Sequence, residues 1–509
     1  MLGYTVLAQS ITDQQLNLVI ARLAEGAKQS WELGTRAQAL TELNASFYSV
    51  FSSTSLPPPT SPPSSVAMKV NLTDVFGIAA NTVANLGNGS NSMTPEALIS
   101  ADGAAGDPAS LGVAVLLANW TGFQPSRSST IETFDVSNTT AKNFDDDGQS
   151  STTVSSNSSS SAAPLSTPST APTPNANLPL NFAGAARNQL DYLLTVVPRT
   201  SDGAISHRVS EVQLWADFIY MAPPFLSYYG VLTNNQSLVS EAYNQVKLYR
   251  NYLRDSDANN VWRHITLGTG AADSGHWSTG NGWAAAGTLR VLATIKNSQF
   301  ANSMKSEQND LKDWVIEILD GMYGNIAKSL YKPSGLFPNY ATDNTTFEDA
   351  SSTALLAAST YRLAVLEGIY HNLPHAEKSR KTLSTSSHIT SEGWLTPVVD
   401  PINWTNEGSD SPEGQAFVVE MTAAWKDWVA IGSPGANEAL GFYMRDYSSK
   451  SLHSGPYLAF TILKFLFASY ISVLMHIFFV GSLVLKRDPE CHPLKDTQRI
   501  DRFMSVLYK

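Results

Sequence analysis

Two stretches of this chain concentrate side chains able to hold, give up and take back protons. The first runs from Gly203 through His207-Arg208 to Gln213, Trp215, Asp217 and Tyr220-Met221. On a helix, Gln213 and Asp217 are four apart and share a face, and Tyr220 lies three further on, so a carboxylate would sit between an amide and a phenol. Trp215 lies roughly 200° round from Asp217 and shares its face only if the helix starts about there. In that case Asp217 occupies the first turn, where backbone N–H groups hold a carboxylate. An isolated Trp-x-Asp is more simply a helix-capping aspartate beside a core tryptophan.

The second stretch holds Val261-Trp262-Arg263-His264, then Asp273-Ser-Gly-His276-Trp277-Ser-Thr279-Gly-Asn-Gly-Trp283. Two tryptophans six apart around a Gly-Asn-Gly turn would offer flat apolar faces on an exposed loop, on which sugar rings stack through their C–H sides. Core tryptophans are the alternative, which the glycines make awkward. His264 and His276 are candidate metal ligands, but no cysteine or third histidine stands at a convincing spacing, so neither a metal nor another cofactor is expected.

The elements that position these residues read mainly as helices. Apolar residues recur every three or four positions over Ile11–Ala27, Ala37–Phe51, Val75–Ala84, Leu111–Trp120, Ala183–Val196, Val209–Tyr229, Leu238–Leu253, Trp283–Ile295, Leu311–Leu330, Ser351–Tyr370 and Gly414–Ala430. Strand-like alternation is scarce, and Asp349 before Ala350-Ser351-Ser352 has the form of a helix start. Paired helices without a strict repeat suggest an all-α toroid or solenoid.

The 509 residues are 43% hydrophobic and 15% charged, with a formal net charge of −11, which leaves no basic field for nucleic acid. The single cysteine, Cys491, excludes a disulfide scaffold. Residues 124–178 form a Ser/Thr/Pro tract expected to be a disordered insertion. Residues 457–485 are apolar enough, and at about 1.5 Å rise per residue long enough, to be a candidate transmembrane helix. Lys486-Arg487 would mark a cytoplasmic, polar tail over 486–509. Sequons at Asn44, Asn71, Asn88, Asn119, Asn138, Asn157, Asn235, Asn344 and Asn403 favour a secreted or cell-surface glycoprotein, with Leu2–Ala8 read as a shortened signal segment.

The segments PRTSDGAISHR, VQLWADFIYMAPPFL, DSGHWSTGNGWAAAG, FEDASSTAL and SPEGQAF carry a resemblance. Together they resemble the unsaturated rhamnogalacturonyl hydrolases of glycoside hydrolase family 105, in their fungal branch, relatives of the unsaturated glucuronyl hydrolases. The likeness implies an (α/α)6 six-hairpin toroid over residues 11–445, interrupted by the Ser-rich tract. It implies Asp217 as general acid/base, and Asp107 as second carboxylate, with Asp102 and the run Asp145-Asp146-Asp147 as rivals for that place. Substrate contacts implied by the same likeness fall on His207, Arg208, Trp215, His264, Trp277, Thr279 and Trp283. Arg208 stands where the family has lysine. Thr279 replaces an arginine that binds the substrate carboxylate in the family, and a threonine can offer only one neutral hydrogen bond in its place.

The implied activity is release of unsaturated galacturonic acid from the non-reducing end of lyase-generated pectin fragments by hydration of a C4=C5 vinyl ether. Three alternatives remain open on the sequence. One is a catalytically silent glycan-binding toroid, a second a membrane-tethered cell-wall organiser, and a third a glycosidase acting on an unsaturated glucuronyl or a saturated sugar.

Overall fold

Two kinds of helix are told apart by where their apolar residues fall. The computed structural model describes residues 10–436 except 53–54, 88, 90, 101, 126–178, 271 and 330–333, and only the backbone of 325–329. In chain order the helices are α1 (Asp13–Gly26), α2 (Ser30–Asn44), α3 (Ser64–Ala67), α4 (Thr73–Ala84), α5 (Gly112–Trp120), α6 (Phe182–Thr195), α7 (Phe218–Leu232) and α8 (Gln236–Leu253). They continue with α9 (Ser278–Lys296), α10 (Lys305–Ser329), α11 (Ala350–Glu367), α12 (Leu373–Leu383) and α13 (Pro412–Ala430). One-sided helices bury a stripe: Leu16, Val19 and Leu23 on α1, and Val239, Ala242, Val246, Tyr249 and Leu253 on α8, spaced by three and four. By contrast α7, α9, α11 and α13 are buried on nearly every face, which requires other helices all round them.

These buried helices make a closed circuit of contacts. Helix α2 packs on a 3-10 turn, Asp107–Leu111, which packs on α7; α7 packs on α9, α9 on α11, α11 on α13, and α13 returns to α2. The one-sided helices lie against this circuit: α1 on α13, α8 on α7, α10 on α9 and α12 on α11. Glycine permits a close approach of two backbones here, because a Cβ on Gly287 of α9 would lie 2.1 Å from the carbonyl oxygen of Ile219 in α7. All described residues lie within one compact unit, Met1–Leu440.

Three short antiparallel ladders decorate the helix starts. β1 (Leu214–Trp215) pairs with β2 (Ile265–Thr266), β3 (Phe337–Tyr340) with β4 (Asp343–Asp349), and β5 (Val398–Val399) with β6 (Glu407–Gly408). The first ladder corrects the expected helix over Val209–Tyr229: Leu214 and Trp215 are extended, and the helix begins only after Asp217. The helix expected at Ala37–Phe51 is α2, which starts seven residues earlier because the side chains and backbones of Gln29 and Glu32 form a capping box. Asp349 does open a helix, accepting from the amides of Ser351 at 3.0 Å and Ser352 at 2.9 Å.

Among the described residues no helix is long and apolar enough to cross a membrane. The candidate span at 457–485, the tail at 486–509 and nearly all of the Ser/Thr/Pro tract lie outside the described residues.

Candidate active site

Acidic side chains gather where the buried helices begin. Glu32 lies in the first turn of α2, Asp107 opens the 3-10 turn, Asp217 precedes α7, Asp349 precedes α11 and Glu413 lies in the first turn of α13. Helix starts carry unpaired N–H groups and a partial positive charge, which favours carboxylates there. Their mutual influence puts several of them at one end of the circuit: the charges of Asp102 and Asp217 act on Asp107, and those of Glu32, Asp217 and Asp349 act on Glu413.

Asp217 is set beside His264 by the β1–β2 ladder. Trp215 pairs with Ile265, and the amide of Ala216 donates to the carbonyl of His264 at 2.9 Å. This brings His264 Nε2 to 3.4 Å from Asp217 Oδ2, an ion-pair distance, and both atoms are buried with no other partner. On its other side His264 Nδ1 lies 3.0 Å from Asp273 Oδ2. Burial works against charge on this ring, but the carboxyl groups of Asp217 and then Asp273 outweigh it and raise the imidazole pKa. Asp273 responds in the opposite sense: burial would raise it, yet His264, the Tyr340 hydroxyl and the Gly275 amide pull it down to about 2.

Asp107 has the contrasting environment. Burial first, then the charges of Asp102 and Asp217, raise its pKa well above the usual carboxylate range, and the Arg208 guanidinium offsets this only in part. His207 Nε2 lies 3.9 Å from Asp107 Oδ1, but burial pushes that imidazole down to about 3. The contact therefore joins a neutral ring to a carboxyl group and is not an ion pair. His207 stacks on Trp215 with centroids 4.9 Å apart, and the Arg208 guanidinium lies 5.9 Å from the Trp215 ring. Asp102, the sequence rival to Asp107, accepts from the Ser30 hydroxyl. Asp145-Asp146-Asp147 lie outside the described residues.

Asp107, Asp217, His207, Arg208, Trp215 and His264 thus come together; the tryptophans of the Gly-Asn-Gly segment differ from expectation. That segment is the first turn of α9, not an exposed loop. Trp283 is 1% exposed and packs on Tyr220 and Phe417 in the interior. Thr279 is fully buried and donates to Asp349 Oδ2 at 2.9 Å. Trp277, also buried, backs the His264 ring at 4.5 Å and donates Nε1 to Asn339 at 2.9 Å. The glycines serve helix packing: a Cβ on Gly280 would touch Trp277 and Ala216, and one on Gly282 would touch Leu355.

Four site residues escaped the sequence reading. Asp273 accepts from four donors, Glu413 accepts from Trp31 Nε1 at 3.0 Å, and Trp404, on the β5–β6 turn, meets Trp215 edge-on at 5.3 Å. Burial, then the charges of Glu32 and Asp217, raise Glu413 well above its usual range. SPEGQAF signalled Glu413 as part of a motif without signalling a role; nothing local marks Trp404. Among the described residues no group of His, Cys, Asp and Glu is arranged to hold a metal ion.

The arrangement offers one carboxyl group that favours its proton, a second beside an imidazole held toward its charged form, and half-buried aromatic faces around them. The Glycosyl Hydrolase Family 88 model matches residues 125–427. The chain belongs to glycosyl hydrolase family 88. Helix α2 and the 3-10 turn that carries Asp107 precede the matched residues yet complete the circuit, so the candidate site draws on residues on both sides of position 125. A glycosyl hydrolase family 88 structure from Bacteroides vulgatus is similar at 13% identity, over 81% of this chain and 99% of that one, with a TM-score of 0.50. Structures of possible family 105 members from Salmonella enterica and Klebsiella pneumoniae match at 20% and 19% identity, over 46% and 48% of this chain, with TM-scores of 0.40 and 0.42. The matched parts span 63% and 65% of those two chains. At 13% identity the likeness to the Bacteroides vulgatus structure concerns the fold alone. No curated protein matches the chain in sequence.

Proposed function

We propose that this family 88 member hydrolyses oligosaccharides that end in an unsaturated uronic acid, releasing unsaturated galacturonic acid from the non-reducing end of lyase-generated rhamnogalacturonan fragments. The observation that carries the reading is the pairing of Asp107, which favours its protonated form, with Asp217, which faces the His264 imidazole at 3.4 Å. Such a substrate carries a C4=C5 vinyl ether. Its hydration needs a carboxyl group that first gives a proton and then takes one from water. Asp217 delivers the proton to C4 and a water oxygen bonds to C5, returning its own proton to Asp217. The hemiketal so formed opens at the C5–ring-oxygen bond to a ketone, and the hemiacetal left at C1 releases the next sugar. One water is consumed and no redox partner is needed. A neutral Asp107 beside Asp217 removes like-charge repulsion while Asp217 is ionised. Retaining and inverting carboxylate spacings do not apply to this chemistry.

Carboxylate recognition falls to Arg208, because Thr279 is committed to Asp349. The guanidinium sits over Trp215 at the same end of the circuit as both aspartates. The contact circuit supports reading the helices as six hairpins, α1–α2 through α12–α13, and the sequence resemblance supports the fungal family 105 branch and a pectin-derived substrate. The sequons and the apolar stretch at 457–485 support a secreted or cell-surface protein, anchored in the membrane by that stretch.

Loss of the vinyl ether's ultraviolet absorbance on a panel of unsaturated rhamnogalacturonan, chondroitin and heparin disaccharides tests the reading. Asp217→Asn is expected to abolish turnover, by at least about a thousandfold on the scale of a lost acid/base group, with the fold retained. Wild-type rates in that variant would remove Asp217 from the mechanism. A second reading, a silent glycan-binding toroid, is favoured by the missing arginine at Thr279 alone. Binding without turnover across the whole panel would establish it.

A further inference from the structure

Asp273 opens the DSGHWSTGNGWAAAG segment but has no role among those the resemblance implies, yet its carboxyl group takes four hydrogen-bond contacts, one of them from the histidine that faces Asp217. Its Oδ2 accepts from Tyr340 Oη at 2.7 Å and from Trp404 Nε1 at 3.0 Å, and lies 3.0 Å from His264 Nδ1. Its Oδ1 accepts from the Gly275 amide at 2.8 Å. The backbone on both sides is fixed as well: the Ile265 amide donates to the Asp273 carbonyl at 2.7 Å, and the His264 amide to the Gly275 carbonyl at 2.9 Å. Gly275 is needed for this fit, since a Cβ there would come within 2.4 Å of the Tyr340 ring.

His264 itself is 1% exposed. Tryptophan rings close round it, Trp277 at 4.5 Å, Trp404 at 5.0 Å and Trp215 at 5.5 Å, and its two nitrogens point at two carboxyl groups. A ring so enclosed has no face to offer a sugar. It acts through Asp217, and what aims it at Asp217 is Asp273. The loop bearing Trp404 is tied to the same point twice, through Trp404 Nε1 on Asp273 and through Asn339, which donates to the Trp404 carbonyl at 2.8 Å and accepts from Trp277 Nε1 at 2.9 Å.

We propose that Asp273 is a positioning residue of the reaction, which holds His264 with Nε2 on Asp217 and, through the same oxygen, docks the Trp404 loop against the site. The proposal rests on Asp217 being the acid/base of the reaction above. With Asp273 ionised, the Nδ1–H of His264 is held toward Asp273 in both the neutral and the charged ring, which leaves Nε2 aimed at Asp217. The charged and titratable groups that face the imidazole are Asp217 from the start of α7, Asp273 from the loop before α9, and the neutral His207. Tyr340 from β3 reaches only Asp273.

The test is Asp273→Asn in the full chain, read in two ways. In protein labelled with 15N-histidine, with the His264 signal assigned by its absence in His264→Gln, the wild-type imidazole is expected to titrate above an ordinary histidine. In Asp273→Asn its midpoint drops by about one unit, since one of two charge partners is gone. In turnover, kcat falls about 10- to 100-fold, as for loss of a residue that orients a functional histidine, while KM changes little.

A folded Asp273→Asn with an unmoved His264 midpoint, or a loss confined to KM, overturns the proposal. Should that variant fail to fold, Tyr340→Phe keeps the carboxylate and removes one competing donor, so the His264 midpoint rises by a few tenths of a unit. No movement there also overturns it. The histidine titration needs no substrate: if wild type turns over nothing in the panel, the proposed function falls, and the titration still decides the role of Asp273.

Discussion

Replacing Thr279 by valine separates two roles that the sequence alone leaves merged. The resemblance to family 105 puts a carboxylate-binding arginine at this position, so a threonine there invites a role in substrate binding. In the structure the hydroxyl is fully buried and donates to Asp349 Oδ2 at 2.9 Å. That carboxyl group also accepts from the amides of Ser351, Ser352 and Val399 at 3.0, 2.9 and 3.1 Å, tying the starts of α9 and α11 to strand β5. Valine fills the same volume without the donor and leaves Oδ2 with Ser352 alone. Loss of one buried hydrogen bond to a carboxyl group costs about 1–3 kcal/mol. For a domain of several hundred residues, that corresponds to roughly 1–4 °C in Tm. The assay pairs differential scanning fluorimetry with saturation kinetics on the best substrate of the panel. The expected outcome is a lower Tm with KM within about twofold of wild type, since uniform binding is untouched. An unchanged Tm with KM raised tenfold or more would show that the hydroxyl faces the sugar and that the buried placement is wrong.

Two further outcomes follow from buried charge. His207 has a folded-state pKa of about 3, below its ordinary value near 6.5. The unfolded chain therefore binds a proton that the folded chain refuses, and the contribution is intact above about pH 6.5 and lost as pH falls toward 3, at up to about 1.4 kcal/mol per pH unit. Urea midpoints at pH 7, 5.5 and 4.5 should show His207→Gln losing less stability than wild type on acidification; parallel losses would mean the ring is solvated. Arg362 of α11 joins Glu42 of α2, at 2.7 Å, to Asp427 of α13. Arg362→Met leaves Glu42 buried without that cation and is expected to cost about 3–5 kcal/mol in denaturant unfolding; a change under about 1 kcal/mol would contradict it.

How much of this was legible in the chain depended on distance. Periodicity placed the helices because their burial follows a spacing of three and four, as Val239, Ala242, Val246 and Tyr249 show. Helix α12 escaped, because its interior-facing set includes Glu377 and Arg380, a buried pair that reads as a solvated face. Asp217 was placed correctly only under the alternative that its helix starts beside it; extended Leu214 and Trp215 have no strand signal, and what holds them is Ile265 and Thr266, some fifty positions away. The glycines after Trp277 suggest a turn, but they are small because Ala216, just before α7, and Leu355 of α11 press on α9. Asp273, Trp404, Trp31 and Glu413 are brought together only by closure of the circuit, and no local pattern encodes that.

That closure has a consequence for how the protein is made. Trp31 and Glu413, which meet at the site, are 382 positions apart. At ordinary synthesis rates of about 5–20 residues per second, α2 waits roughly 20–80 s on the growing chain before its final neighbour α13 exists. Until then the side of α2 that will face α13 has no partner. The first helices are the nascent chain's exposed liability, and the last one ends it.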